Sequence, residues 1–201
     1  MTAQSNYLAG KRTEIHPYKT REGGATVTVF VPYNCLNNCP FCINKAEYEN
    51  PEGFSADKIC ESIRRMDAIT PYCDFVFTGG EPFVDLNVLQ QMLDEIPKTH
   101  KVYINTTLPV SKFQTEDDIV RFTEKNKDKI TCINVSRHMQ HYVVESNDGL
   151  LKRLAVPFRI NCVLYKDYPK QDMIPYLERF RLIPGASIQF RFDYTETTPE
   201  N

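Results

Sequence analysis

Ala25-Thr-Val-Thr-Val-Phe-Val31 runs through Pro32-Tyr-Asn into Cys35-Leu-Asn-Asn-Cys39-Pro-Phe-Cys42. Val27, Val29 and Val31 alternate with Thr26, Thr28 and Phe30, the period of a strand with two unlike faces. Pro32 ends that strand, so the cysteines sit at its C-terminal end. The same punctuation recurs down the chain. Cys73–Phe77 runs into Thr78-Gly79-Gly80-Glu81-Pro82, and Lys101–Asn105 ends at Asn105-Thr106. Ile130–Val135 ends in Ser136-Arg137-His138, and Pro157–Leu164 and Ala186–Phe192 complete six strand candidates. Helices fall between them. Ser55 caps one reaching Ile69, with Ile59, Ile63 and Met66 on one face. Asp85 caps another reaching about Ile96, and Thr115 caps a charged one reaching about Asp128. A short helix is expected at Asp148–Leu154. A last one, Gln171–Phe180, buries Met173, Leu177 and Phe180, with Pro175 in its first turn or at a kink.

Strand and helix in alternation give a parallel sheet with helices outside. A closed eight-unit barrel takes about 250 residues. Six units in 201 residues, the last helix missing, predict an α/β fold: a partial (β/α)6 TIM-like barrel, open on one side. The expected organisation is an irregular lead-in over 1–24, the barrel over 25–194 and a polar tail over 195–201 that is either a natural end or a truncation point.

Composition narrows the classes. Apolar residues make up 41%, enough for a core, and 24 basic against 26 acidic residues give a net charge of −2. No basic block marks a nucleic-acid partner. No apolar run is long enough to span a membrane, and Met1–Lys19 carries no signal-type stretch. A cytoplasmic protein is expected, in which seven cysteines are thiols or metal ligands, not disulfides.

Cys35, Cys39 and Cys42 are spaced x3 then x2. Three thiolates can hold three corners of a cubane iron–sulfur cluster and leave one iron open to a small ligand. In parallel α/β folds the strand C-termini share one mouth. There the cysteine loop, the Gly-Gly-Glu turn, Asn105-Thr106 and Ser136-Arg137 converge from four separate strands. Cys60, Cys73, Cys132 and Cys162 stand singly in helix or strand and read as core. His16 reads as a solvated loop residue.

The C-x3-C-x2-C motif after a first strand, with Gly79-Gly80-Glu81-Pro82 after a second, resembles the radical S-adenosylmethionine (radical SAM) superfamily. The resemblance implies a 4Fe-4S cluster on Cys35, Cys39 and Cys42, with SAM chelating the open iron. It implies reductive cleavage of SAM to methionine and a 5′-deoxyadenosyl radical that abstracts hydrogen from a small-molecule or peptide substrate. Gly79 and Gly80 would let backbone approach the methionyl amino group, and Glu81 would supply an acceptor near it. Phe41 would pack by the adenine, and Ser136 would touch the ribose or methionine part. Arg137 is either a partner for the SAM carboxylate or a barrel salt bridge. Asn161 and Arg191 face the mouth or serve structure, the latter reading being ahead. An electron donor such as a flavodoxin or ferredoxin is implied, and a partner chain is one way to close the open side. No further cysteine cluster follows the sixth strand. The competing readings are a non-catalytic module with structural zinc, completed by His138 or His141, and a regulatory SAM-binding subunit. The zinc reading leaves Gly79-Gly80-Glu81-Pro82 unexplained, and the intact motifs speak against lost chemistry in the other.

Overall fold

The computed structural model describes residues 25–31, 35, 37–42, 55–70, 72–139, 147–165 and 168–192. The lead-in, the polar tail, His16 and His141 lie outside them. The strands are β1 (Ala25–Val31), β2 (Cys73–Gly79), β3 (Lys101–Thr106), β4 (Ile130–Ser136), β5 (Phe158–Leu164) and β6 (Ile188–Phe192). They form one six-stranded sheet in the order β1-β2-β3-β4-β5-β6, every pair parallel. The helices are α1 (Ala56–Ile69), α2 (Leu86–Asp94), α3 (Glu116–Lys125) and α4 (Met173–Phe180). This is the open α/β partial barrel expected from the alternation. No helix among the described residues is long and apolar enough to cross a membrane.

Side-chain alternation sorts the sheet into two faces. Val29, Phe75, Phe77, Ile104, Val135 and Ile160 join residues of the helices in one apolar cluster. Phe75, Phe77, Ile104 and Ile160 are fully sequestered, each contributing on the order of 2 kcal/mol by burial. The residues of opposite parity are polar yet buried: Asp74, Tyr103, Asn134, Arg159 and Asn161. Burial pushes the Tyr103 phenol well above its ordinary range; Asp74 and Cys132 add to the shift and Arg159 opposes it. The molecule thus has a dry helix-facing layer and a polar inner wall.

The caps follow their residues. Ser55 accepts from Lys58 N at the start of α1. Asp85 accepts from Asn87 N and Val88 N before α2. Thr115 and Asp118 form a capping box on α3. Three expectations change. On α1, Cys60 and Ile63 are the buried residues, with Ile59 and Met66 only partly covered. On α4, Tyr176 is buried and Leu177 is 40% exposed, because the Tyr176 hydroxyl donates to the Arg137 carbonyl at 2.7 Å. That helix is also shorter, starting at Met173 after a 3-10 turn over Lys170–Asp172, which leaves Pro175 in its first turn.

Candidate functional site

A cavity of about 290 Å³ opens at the C-terminal ends of the strands. Cys35, Cys39 and Cys42 line it together with Gly79, Gly80 and Glu81. Phe41 and Ser136 line it as well, so all the expected site residues except Arg137 meet there. A larger hollow of about 780 Å³ lies outside, between α2 and α3, and none of the cysteines reaches it. The three motif cysteines belong to the smaller cavity.

The cysteine loop is tightened by a bond from Cys42 N to the Cys39 carbonyl, 3.1 Å. All three thiols are partly exposed, whereas Cys60, Cys73, Cys132 and Cys162 are buried. Burial pushes the Cys35 thiol up, with the charges of Glu81 and Cys42 adding to it and hydrogen bonds from Asn37 working the other way. Cys73 lies against His100, its sulfur 3.3 Å from Nδ1, while His100 Nε2 meets Asp67 at 2.7 Å. That contact ties the far end of β2 to α1.

The glycine turn is forced by its surroundings. Gly79 has φ +100°, and a Cβ there would stand 2.9 Å from Val31 N. Only glycine fits both demands. Gly80 N then donates to the Val31 carbonyl at 3.0 Å, joining this turn to the end of β1. β2 therefore runs two residues beyond the expected Phe77, through Gly79, in register with Val31.

Glu81 corrects an expectation. Its carboxylate is 2% exposed and accepts from Phe83 N at 3.1 Å, Thr107 N at 2.8 Å, Thr107 Oγ1 at 2.7 Å, and Thr106 Oγ1. Burial raises its pKa above the ordinary carboxylate value, and those four bonds offset the rise only in part. Four donors fill the lone-pair sites of a carboxylate. Glu81 thus fixes the turn and the exit of β3, where Leu108 is held at φ 52°, instead of presenting a spare acceptor to a ligand.

Arg137 resolves toward the salt bridge. Its guanidinium is fully buried beside Asp148, with Nε to Oδ1 at 3.3 Å. Nη1 donates to the carbonyls of Thr107 and Ser136 at 2.7 and 3.0 Å. Asp148 also takes Arg179 Nη2 at 2.9 Å. The arginine braces the ends of β3 and β4 from behind the cavity.

Beside the expected Phe41, the cavity is lined by residues that carried only a weak signal in the sequence, His138 and Asn37 among them. Phe41 packs edge-on against His138 at 4.7 Å and stacks on Tyr165 at 5.6 Å. His138 Nδ1 accepts from Val163 N at 3.2 Å. Burial and the neighbouring Arg137 charge lower its pKa to about 4. The imidazole is therefore neutral at pH 7, with its proton on Nε2. Asn161 and Arg191 both line the cavity, contrary to the structural reading that was ahead. Asn37, inside the cysteine loop, lines it too.

A family model described as a 4Fe-4S single cluster domain matches residues 22–142. No curated protein matches. Solved structures of native anSMEcpe with bound AdoMet and a peptide (Kp18Cys in one, Cp18Cys in the other) are 17% and 18% identical, each with a TM-score of 0.62. Native anSMEcpe with bound AdoMet aligns with a TM-score of 0.60 at 17% identity. Each alignment covers 84% of this chain and 51% of the other, so the chain spans about half the length of these structures. At such identity the likeness speaks for the fold, while the family model covers more than half of the chain and includes all three cysteines of the motif. The chain belongs to the 4Fe-4S single cluster domain family and, with this fold and these two motifs, to the radical SAM superfamily.

Proposed function

We propose that the chain is a radical SAM enzyme that holds a 4Fe-4S cluster on Cys35, Cys39 and Cys42 and SAM against the Gly79–Gly80 turn. The observation that carries the reading is the convergence of the three thiols and the glycine turn on one cavity at the strand C-termini. The donor set fits. Three thiolates suit a cubane cluster and leave one iron without a protein ligand, and the remaining cysteines are committed to the buried interior. When bound, the reduced cluster and SAM supply the chemistry: reductive cleavage to methionine and a 5′-deoxyadenosyl radical that takes hydrogen from a substrate.

The chain's own residues orient and enclose. Gly79 lets the turn close against the end of β1, where a Cβ would meet Val31 N, and so sets the turn at the cavity's edge. Glu81 positions the turn, through the threonines after β3. Ser136 offers a hydroxyl from the end of β4. Phe41 and His138 line the cavity, with Tyr165 stacked on Phe41, and offer an aromatic face to an adenine. Two of the similar structures hold a peptide, which supports a peptide ahead of another small molecule as substrate. The electron would come from a flavodoxin- or ferredoxin-type donor.

Anaerobic reconstitution tests the assignment. The expected result is about four irons and four sulfides per chain, a brown protein, and 5′-deoxyadenosine on reduction with SAM. One zinc per chain and no SAM cleavage would overturn it.

A further inference from the structure

We propose that this site selects a substrate bearing a carboxylate or phosphate, held at the mouth by Arg191, together with an N–H or O–H group that reaches Asn161 deeper in the cavity. The inference rests on the enzyme reading above and adds the substrate's chemical class.

Arg191 lies on the inward parity of β6, the same parity as Gln189, and lines the cavity shared by the cysteines. It is exposed. Its one hydrogen bond among the described residues runs from Nε to Gln189 Oε1 at a long 3.3 Å. Among the described residues neither Nη group has a hydrogen-bond partner, and Arg191 forms no ion pair with a described carboxylate. A planar fork with open donors is built for bidentate contact with a carboxylate or phosphate.

The other charges near the cavity are already spent. Glu81 has its oxygens saturated by Phe83, Thr106 and Thr107. Arg137 is fully buried against Asp148. His138 offers a neutral N–H. Of the two carboxylate or guanidinium side chains that line the cavity, Glu81 is saturated, and Arg191 has no described carboxylate as a partner.

Asn161 supplies a second, independent observation. It is 7% exposed, lines the same cavity, and its Oδ1 is buried without a hydrogen-bond partner among the described residues. A buried acceptor left unmet costs roughly 1–3 kcal/mol, so the site gains when a donor arrives. The register fixes the spacing. Asn161 stands level with Ser136 and Gln189, and Arg191 stands level with Val163. Two residues along a strand separate the levels by about 7 Å. A peptide segment with an acidic side chain and a backbone N–H one or two residues away has that span.

The shared chemistry has a second source, the carboxylate of SAM, and the test separates the two. The anaerobically reconstituted chain, loaded with SAM, is titrated calorimetrically with acetyl-Gly-Gly-Asp-amide, its Asn counterpart, and inorganic phosphate. The Asp peptide should bind at least about tenfold tighter than the Asn peptide, and phosphate should compete with it. Arg191→Gln should erase the preference, and Arg191→Lys should keep part of it. Asn161→Ala should weaken both peptides alike. Equal binding of the two peptides by the parent chain, or no binding of either, overturns the proposal. So does a loss in Arg191→Gln of affinity for SAM but not for decarboxylated SAM, which would assign the arginine to the cofactor. Substrate-free formation of 5′-deoxyadenosine is followed in parallel. If it persists while anion preference is absent, the substrate class falls and the enzyme reading stands. If neither cluster nor SAM binds, both fall.

Discussion

Two residues at the mouth carry demands that a point change exposes. Gly79 combines φ +100° with backbone atoms 2.9 Å from any added Cβ. Gly79→Ala should therefore cost about 1–3 kcal/mol and displace the turn from the end of β1. Urea unfolding of the cluster-free chain measures the first effect, and weakened SAM binding to the reconstituted one measures the second. His138 makes a different prediction. Its pKa is near 4 when folded against 6.5 in the free side chain. The unfolded chain thus binds the proton first as pH falls. Stability contributed by the neutral ring is complete above pH 6.5, declines between 6.5 and 4, and levels below 4, a loss of roughly 3 kcal/mol at most. Denaturation midpoints measured across that window should fall less steeply in His138→Gln, whose amide oxygen can still accept from Val163 N. An unchanged slope would mean that His138 does not titrate this way.

The elements were legible because period is local. Six strands and four main helices announce themselves by alternation, caps and prolines, and the thiol and glycine motifs lie within single loops. What escaped depends on partners distant in sequence. Tyr176 and Leu177 are equally apolar candidates for one turn of α4, and the Arg137 carbonyl decides between them. The role of Glu81 depends on threonines 25 and 26 positions away. Arg137 and Arg179 share Asp148, which lies in a 3-10 segment, Asp148–Arg153, between β4 and β5. That aspartate ties the end of β4 to α4. Asp148→Ala strands the buried Arg137 charge, and should cost about 3 kcal/mol, the low end for a broken buried pair because Asp148 keeps some water. Adding Arg137→Met should recover part of the loss, since the fully buried charge is then gone and the remaining Arg179 is part-exposed to water. A double-mutant cycle in denaturant checks this: equal or greater destabilisation of the double variant would mean that the ion pair is not what holds these elements.

At the scale of the molecule, the fold and the site draw on opposite faces of one sheet. The helix-facing layer forms a contiguous apolar cluster running from Val29 to Ile183, and none of the three motif cysteines belongs to it. The polar inner wall and the mouth carry the chemistry. Stability and cofactor binding should therefore separate. The variant with Cys35, Cys39 and Cys42 all replaced by alanine should lose iron, the brown colour and SAM cleavage. It should unfold as cooperatively as the cluster-free parent, with a midpoint within a few degrees, because no core volume has been removed. Cluster loading should raise the parent's midpoint and leave the triple variant unmoved, since a ligand that binds only the folded chain stabilises it by linkage. Cys60→Ala and Cys132→Ala should show the reverse: full iron content with lower stability, each leaving a small hole in a buried layer. Iron analysis and thermal unfolding on the same samples read both sides of the comparison. Loss of iron from Cys60→Ala, whose side chain belongs to the helix-facing cluster, or collapse of the cluster-free triple variant, would show that the two faces are not independent.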